Sequence, residues 1–384
     1  MPHRARLLHV MDYAPRGTRA VDHFILSLIR EAQSQGWEMR FGFSTAPAGT
    51  FPDTLRELGV GFETFEHPLT RRRVREFARK FGDWQPDVTQ TSFLSAFEWP
   101  VLWLKLSGFT KKLIVLDHSS GVGPSPRSWL RPLRWVRGRA VGRVVDAFAP
   151  VSAYVGRRQA ESVYLPAAKI RVIPNGIDLA RFPFRPRTSG DVLRVGYVGQ
   201  LIAEKGVLTL LEAVRRLAAA GSRPFQLDIA GAGEQRPELE AFCAANGLGN
   251  VNFLGHIDSV ADFFAACDLA VIPSEWAEAF GLVAIEAMAS GTPLVVSDAG
   301  GLPDIVTGVG LVFPAGDAGQ LAERMGSLLE NPELRRTFAI AGRQRVEERF
   351  TLARKVWEHI NLCNELVGRP TTPRPNLPKS CPVL

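Results

Sequence analysis

The sequence predicts an α/β protein made of two doubly wound domains, each with a parallel sheet covered by helices. The chain has 384 residues, which is more than one hydrophobic core usually serves. Strand-like apolar runs alternate with helical stretches in two separate series, the pattern of parallel strands joined by crossover helices. A stretch containing proline and glycine, residues 181–191, separates the two series and is predicted to be a linker.

The first series begins with a strand and a loop that leads into an amphipathic helix. The strand is predicted over Arg6–Val10 and the helix over Ala20–Gln35. Gly17 lies in the loop, where a backbone approaching a ligand needs a glycine, although an ordinary loop accounts for it equally well. Further strands are predicted at Glu38–Phe43, Asp87–Thr91, Lys112–Leu116, Asp146–Val151 and Lys169–Ile173. Residues 1–180 are therefore assigned to the first domain.

The second series follows a segment of turn-forming residues, Ile173–Asp178. Its strands are predicted at Val192–Val198, Phe225–Ala230, Val251–Gly255, Asp268–Ile272 and Leu294–Ser297. Residues 192–350 are assigned to the second domain, residues 351–367 to a last helix, and the proline-rich residues 368–384 to a disordered tail.

One stretch of the second series places two glutamates around the start of an apolar helix. The helix is predicted to begin near Phe280 or Gly281 and to end at Gly291, where glycine supplies a left-handed cap. Glu278 would then lie in the strand-to-helix loop, at the sheet edge where open parallel sheets bind ligands. Glu286 would lie inside the helix among apolar residues, where a carboxylate is costly unless it accepts hydrogen bonds.

The first turn of this helix predicts a phosphate site. Its unpaired N–H groups and the positive end of its dipole favour an anion. The candidate backbone donors are Ala279, Phe280, Gly281, Leu282 and Val283. Sugar hydroxyls are suitable hydrogen-bond donors to the two carboxylates. Glu278 would repel a phosphate beside it, so it is also expected to face hydroxyl groups. The alternative is that Glu278 is a loop charge and that Glu286 is a structural residue bonded to backbone.

Other candidate site residues also follow predicted strands. His118 comes directly after the Lys112–Leu116 strand and could contact a ligand, although a lone loop histidine is more often structural. Lys205 lies at a strand-to-helix entry, where it could neutralise a diphosphate, but surface lysines are common there. Residues 299–304 are predicted to form a glycine turn able to present N–H groups to phosphate.

The formal net charge of +7 is concentrated in local clusters. Residues 118–145 contain no Asp or Glu. Within them, the segment Arg127–Arg143 has arginines interleaved with tryptophan and aliphatic side chains. A second cluster lies at residues 71–80. Such segments suit an anionic membrane surface or a polyanionic acceptor, and the alternative is a solvated face with packed arginine stems. Nucleic acid is disfavoured because no recognition motif accompanies the charge.

Several classes of protein are disfavoured by missing signals. Four scattered cysteines without a CxxC pair indicate reduced thiols and no zinc site. The N-terminus has too short an apolar segment for a signal peptide, and no run is long enough for a spanning helix. Arg236 occupies the third glycine position of a dinucleotide fingerprint, which disfavours hydride transfer.

Together these residues resemble group-one (family four) retaining glycosyltransferases, which have the GT-B fold of two Rossmann-like domains facing across a cleft. The resemblance covers nearly the whole C-terminal half. It rests on GQLIAEKG, IAGAGE, NFLGHI, EAFGLVAIEAMASGTPLVVSDAGG and GRQRVEERF, with IPNGID before the linker. The N-terminal half matches in layout and only loosely in sequence.

The resemblance implies a role for each candidate residue. Lys205 would hold the diphosphate of a nucleotide sugar, Glu278 the hydroxyls of the transferred sugar, and Glu286 the ribose. His118 would lie near the reacting centre, so that His118, Lys205 and Glu278 are the expected catalytic residues. Gly17 would lie in a loop covering the donor. Residues 1–180 would form the acceptor domain and residues 192–350 the nucleotide-sugar domain, and the last helix would return to the N-terminal domain.

Two positions depart from the family pattern. Gln200 stands at a donor-binding position where relatives usually have arginine, and the first loop has Arg16 and Thr18 around its single glycine. The expected activity is a metal-independent retaining transfer of a hexose-type unit to a hydroxyl acceptor, such as a lipid-linked or cell-envelope saccharide. No cofactor is expected, since the nucleotide diphosphate sugar is a substrate. The expected location is cytoplasmic, at the inner face of the cell membrane.

Two other functions stay open from the sequence. One is nucleotide-sugar epimerisation on the same fold. The other is a non-catalytic, membrane-associated sugar-binding protein, which Gln200 favours.

Overall fold

The computed structural model describes residues 4–17, 19–119, 131–185 and 190–374. These residues form two compact units. The first contains the described residues up to Pro174 and those from Leu352 onward, and the second contains the described residues from Asn175 to Thr351. Arg127, Thr18, the middle of the predicted linker and the end of the predicted tail lie outside the described residues.

The first unit is built on a six-stranded parallel sheet. Its strands are β1 (Ala5–Met11), β2 (Trp37–Phe43), β3 (Gly61–Thr64), β4 (Val88–Ser92), β5 (Lys112–Asp117) and β6 (Ala147–Pro150). They lie in the order β3-β2-β1-β4-β5-β6. The order reverses between β1 and β4, so the loops after these two strands border the crevice in which such sheets bind ligands.

Helices cover both faces of this sheet. They are α1 (Ala20–Ser34), α2 (Phe51–Glu57), α3 (Arg71–Arg79), α4 (Trp99–Leu106), α5 (Arg131–Val144) and α6 (Ala153–Glu161). Successive β1 residues enter two different hydrophobic clusters, Leu7 in one and Leu8 in the other, as the alternation of a strand requires.

The strand predicted at Lys169–Ile173 is wrong. Residues Ala167–Lys169 form a 3-10 turn, and Ile170 makes an isolated bridge to Phe148. The Ile173 N–H still donates to the Pro150 carbonyl, at 3.0 Å. The next rung of the ladder needs an N–H at position 150, and proline has none, so the pairing does not extend into a strand.

The second unit is also built on a six-stranded parallel sheet. Its strands are β7 (Leu193–Val198), β8 (Phe225–Ala230), β9 (Val251–Gly255), β10 (Leu269–Ile272), β11 (Leu294–Ser297) and β12 (Leu311–Phe313). They lie in the order β12-β11-β10-β7-β8-β9, with the reversal between β7 and β10. Its helices are α7 (Val207–Ala219), α8 (Arg236–Ala245), α9 (Val260–Ala265), α10 (Leu282–Ser290), α11 (Leu302–Val306), α12 (Ala318–Glu330) and α13 (Pro332–Arg349).

The last helix, α14 (Leu352–Leu366), belongs to the first unit and packs beside α1. Its Asn364 amide oxygen accepts a hydrogen bond from the Trp37 indole at 3.0 Å, and its Cys363 thiol lies 2.9 Å from the Gln90 amide nitrogen. The chain therefore leaves the first sheet, forms the second, and returns to the first.

The predicted α/β class with two doubly wound sheets is confirmed. None of the described helices is both long and apolar enough to cross a membrane.

Candidate active site

Three strand-end loops of the second unit pack together at the carboxyl edge of its sheet. They follow β7, β10 and β11, which are neighbours in the sheet. The Gly301 N–H donates to the Glu278 carbonyl at 2.7 Å, and the Glu275 N–H donates to the Glu204 carbonyl at 2.9 Å. A Cβ at Gly300 would lie 2.3 Å from the Glu278 carbonyl oxygen, so only glycine permits this approach. The loops therefore form one connected rim.

Lys205 and Glu278 meet on this rim. The Lys205 Nζ lies 2.5 Å from Glu278 Oε1, and the Ser274 hydroxyl donates to the same oxygen at 2.8 Å. The two charged side chains keep 28% and 21% of their surface exposed, so a ligand can reach them. The structure thus brings together a lysine and a glutamate from positions far apart in the sequence.

The N-terminus of α10 faces the same rim. Gly281 is its N-cap, with φ of 118°, and a Cβ there would lie 2.6 Å from the Leu302 side chain. Phe280 is buried, and its ring packs on Phe350 at 5.6 Å between centroids. The predicted helix start and the left-handed cap at Gly291 are both confirmed.

Glu286 lies in the second turn of α10 and is largely buried. Burial raises the pKa of its carboxyl to about 7, while the nearby Arg181 guanidinium acts in the opposite direction. Burial penalises the charged form of this carboxyl. A ligand group that donates a hydrogen bond to it would therefore stabilise the carboxylate.

Tyr197 was not identified from the sequence and belongs to this site. Its hydroxyl donates to the Gln200 carbonyl at 2.8 Å. Burial, together with the Glu278 carboxylate, raises the pKa of the Tyr197 phenol. The tyrosine therefore holds the loop that carries the exposed Gln200 side chain.

In the first unit, Gly17 lies in a loop organised by Asp22. Gly17 has φ of 91°, which favours glycine. The Asp22 carboxylate accepts hydrogen bonds from the backbone N–H groups of Gly17 at 2.9 Å and of Arg19 at 3.0 Å. Asp22 is fully buried in the first turn of α1 and was not identified from the sequence.

His118 lies at the carboxyl end of β5, with its ring stacked on Phe93 at 4.5 Å between centroids. Burial lowers the pKa of its imidazole to about 3, with smaller contributions from Lys355 and His9, so the ring is neutral at physiological pH. Its neighbour Asp117 accepts from the Ser119 N–H at 2.8 Å and thereby shapes the loop.

The predicted residues thus fall into two groups. Gln200, Lys205, Glu278, Glu286 and the N-terminal turn of α10 lie on one edge of the second unit. Gly17 and His118 lie on the carboxyl edge of the first unit. Their ligand-binding roles stay predictions. Among the residues described, no group of three or more His, Cys, Asp or Glu side chains is arranged to hold a metal ion.

Comparison with protein families matches both halves of the chain. Residues 181–345 match the family described as glycosyl transferases group 1, and residues 21–181 match glycosyltransferase family 4. The glycogen synthase of Mycobacterium tuberculosis is 40% identical over 309 residues, spanning 74% of this chain and 70% of the relative. A GDP-mannose-dependent monoacylated alpha-(1-6)-phosphatidylinositol monomannoside mannosyltransferase of Corynebacterium glutamicum is 30% identical over 286 residues, spanning 67% and 71%.

Solved structures match over almost the whole chain. A glycosyltransferase from Rickettsia africae aligns with a TM-score of 0.78 at 17% identity, covering 96% of this chain and 100% of the other. HepE of Anabaena in complex with UDP-glucose aligns with a TM-score of 0.70 at 20% identity, covering 94% and 99%. At these identities the likeness concerns the fold alone.

Proposed function

Because the chain belongs to the group 1, family 4 glycosyltransferases with the GT-B fold, we propose that it transfers a hexose-type sugar from a nucleotide diphosphate sugar to a hydroxyl acceptor with retention of configuration. The observation that carries this proposal is the Lys205–Glu278 pair beside the N-terminus of α10. A donor that carries both a diphosphate and sugar hydroxyls fits such a rim. If Glu278 were only a loop charge, nothing would require the Lys205 Nζ to lie 2.5 Å from its carboxylate.

The leaving diphosphate is stabilised in this proposal by α10 and Lys205. Unpaired N–H groups and the helix dipole favour negative charge at the α10 N-terminus. When the donor enters, Lys205 exchanges its contact with Glu278 for a phosphate oxygen. Glu278 is then free to accept hydrogen bonds from the sugar. This arrangement stabilises the diphosphate most strongly as it departs, which is when it lowers the barrier.

Retention is proposed to follow from attack on the face that the diphosphate leaves. The acceptor hydroxyl forms the new bond to the anomeric carbon as the bond to the phosphate oxygen breaks, and that oxygen takes the hydroxyl proton. The Ser274 hydroxyl donates to Glu278 Oε1 at 2.8 Å, which supports a hydroxyl-binding role for Glu278 rather than a nucleophilic one. His118, with a neutral ring, is proposed to contact the sugar near the reacting centre.

The experiment begins with a thermal-shift screen of UDP-, GDP- and ADP-sugars, followed by turnover assays with the donor that binds. Lys205→Met should lower turnover by about 10²- to 10³-fold, as expected for loss of one electrostatic contact to the developing charge. Lys80→Met, which removes an exposed lysine of the first unit, serves as the matched control. Near-normal turnover in folded Lys205→Met would refute the assignment.

Two measurements separate the rival functions. Nuclear magnetic resonance of the product should show the same anomeric configuration as the donor. Incubation with donor but without acceptor should give no isomerised nucleotide sugar, which an epimerase would produce. Gln200 favours the non-catalytic alternative, and turnover with any acceptor would exclude that alternative.

We further propose that the enzyme works at the anionic inner face of the cell membrane on a lipid-linked acceptor. The docking surface is the exposed part of α4 and α5, namely Trp99, Leu106, Leu133, Trp135 and Val136 with the arginines around them. Leu133, Trp135 and Val136 are 64%, 50% and 56% exposed, although apolar side chains are costly to leave in water.

Arginines surround these apolar side chains. Arg71 lies over the Trp99 ring at 5.4 Å, and Arg139 lies over the Trp135 ring at 5.7 Å. The α5 sequence contains five arginines and no acid. Positive charge with exposed tryptophan suits anionic headgroups, where indole rings reside at the interface.

A further inference from the structure

The chain that follows α14 turns back along that helix. The turn is a Schellman motif, in which Gly368 has φ of 70° and the Arg369 N–H donates to the Asn364 carbonyl at 2.9 Å. Glycine adopts this left-handed conformation without steric cost, and Pro370 prevents the helix from continuing. Residues 369–372, named the strap from here on, leave the helix end in the reverse direction and contact earlier turns of α14.

Thr372 of the strap is held by its backbone. Its N–H donates to the Asn361 side-chain oxygen at 2.9 Å. Its carbonyl accepts from the Trp357 indole at 3.1 Å and from the Asn361 amide nitrogen at 3.4 Å. Asn361 is 6% exposed, and a buried amide is costly unless its donor and its acceptor are both bonded. One backbone residue bonds both ends of this amide, so the contact recognises an extended main chain rather than a particular side chain.

The sequence of the strap favours the conformation that this contact needs. In an extended residue the N–H and the C=O point to the same side of the chain. Pro373 restricts Thr372 to extended conformations, and Pro370 presets the backbone before it. Proline has no N–H, so within residues 370–373 only the two threonines have an N–H that Asn361 could accept.

Arg369 anchors the other end of the strap at the end of α1. Its guanidinium donates to the Gln35 carbonyl at 2.6 Å and lies over the Trp37 ring at 4.9 Å. Gln35 is the C-cap residue of α1, where the helix dipole favours a cation. The Gln35 side chain also accepts from the Asn364 amide at 2.8 Å. The strap therefore spans from α1 and β2 to the middle of α14.

We propose that the face of α14 bearing Trp357 and Asn361, together with Gln35 of α1, is a binding slot for an extended peptide, and that it holds the strap as a tethered ligand. The ligand class is an extended segment with a free N–H at the residue that meets Asn361 and an arginine upstream of it. Because the chain returns to the first unit through α14, the occupied slot ties the returning helix to α1 and β2. The proposal does not depend on the transfer reaction.

The test follows the Trp357 indole N–H by nuclear magnetic resonance, because this group donates directly to Thr372. The parent is compared with a chain that ends at Gly368, and Trp357→Phe assigns the resonance. Removal of the strap should move the resonance. The free peptide RPTTPR, with the sequence of residues 369–374, should return it towards the parental position at about millimolar concentration, the range that a short tether provides.

Two controls accompany this titration. The peptide should leave the Trp357 resonance of the parent unchanged, because the strap already fills the slot. The Trp84 indole, which donates to Glu38 at 2.5 Å, should not respond to removal of the strap or to the peptide. Failure of the peptide to move the Trp357 resonance of the shortened chain would overturn the proposal.

Peptide variants distinguish recognition of the main chain from a side-chain contact. Thr372→Pro in the peptide removes the N–H that Asn361 accepts and should weaken binding by about tenfold, the value of one hydrogen bond. Thr372→Ala keeps the main chain and should bind nearly as well as the unmodified peptide. Thr371→Ala, at an exposed position, is the matched control. Equal affinities of the Thr372→Pro and unmodified peptides would contradict the assigned contact.

A full-length variant keeps the test valid should the shortened chain fail to fold. Thr372→Pro in the whole chain should move the Trp357 resonance as removal of the strap does. It should also increase hydrogen exchange at the end of α1, where Arg369 is bound. Full-length Thr371→Ala should match the parent in both measurements. An unmoved Trp357 resonance in full-length Thr372→Pro would show that the slot does not hold the strap.

Discussion

Glu286 is the site residue whose protonation changes near neutral pH. Burial raises its pKa to about 7 from the ordinary 4.5, so the folded protein binds more protons than the unfolded chain between these values. Its contribution to stability is therefore greatest below about pH 4.5 and declines as pH rises to about 7. As a carboxylate it is the stronger acceptor for ribose hydroxyls, so donor binding should follow the opposite trend.

We expect kcat/KM for the donor to rise with pH through about 7, which reports the ionisation of the free enzyme. Glu286→Gln should lower kcat/KM and remove this inflection, because an amide has no proton to lose. The measurement is an initial-rate profile across the neutral range. Glu333→Gln, at an exposed acid of α13, should keep the parental profile. Persistence of the inflection in Glu286→Gln would assign it to another group.

The residues found from the sequence are those whose environment looks anomalous along the chain. Glu286 interrupts an apolar run, and Lys205 precedes a glycine at a helix entry, so both could be predicted. Tyr197 and Asp22 could not, because a tyrosine in a strand and an acid near a helix start are ordinary. The left-handed backbone of Phe93, with φ of 60°, could not be predicted either, since no turn-forming residue at that position indicates it.

At the scale of elements, α5 is the helix that the docking proposal depends on. Its buried side is made of small residues: a Cβ at Gly138 would lie 2.2 Å from the Val163 carbonyl oxygen. This close packing holds α5 against the unit and leaves its arginines and Trp135 on the outside. Each basic residue near an anionic surface contributes about 1 kcal/mol.

Replacing Arg131, Arg139 and Arg143 together by glutamine should therefore weaken binding to phosphatidylglycerol-containing vesicles by about a hundredfold. Cosedimentation with these vesicles and with pure phosphatidylcholine vesicles measures the effect, which should shrink at high salt. The control variant replaces three exposed arginines of the second unit by glutamine, namely Arg215, Arg216 and Arg336. Equal binding by both triple variants would show that α5 is only a solvated face.

The strands that could be predicted are those with long apolar or β-branched runs. The β8, β9 and β11 bounds agree with the predicted ones residue for residue. The short edge strands β3 and β12 escaped prediction because four and three residues do not establish a period. The false strand at Lys169–Ile173 has the right composition, but it begins in a 3-10 turn and its neighbour Pro150 lacks the N–H that the next rung requires.

At the scale of the whole molecule, the two units have separate cores, and the buried Lys355 makes the stability of the first unit depend on pH. This α14 residue is 8% exposed, its Nζ lies 4.0 Å from the centre of the Phe24 ring, and burial lowers its pKa to about 7 from 10.5. Burial, and after it the charge of Lys355, lowers the pKa of three histidines of the first unit: His9 and His118 to about 3, and His359 well below 6.5.

Between pH 7 and 10.5 the unfolded chain keeps the Lys355 proton that the folded protein has lost, so this group adds stability as pH rises through that window. The free energy of unfolding of the parent should increase between pH 7 and 9, relative to Lys355→Met, by up to about 1.4 kcal/mol per pH unit. Denaturant titration followed by tryptophan emission reports mainly the first unit, since Trp276 is the one tryptophan described in the second. Exposed Lys80→Met should track the parent, whereas a constant difference between parent and Lys355→Met would mean that Lys355 stays protonated in the folded protein.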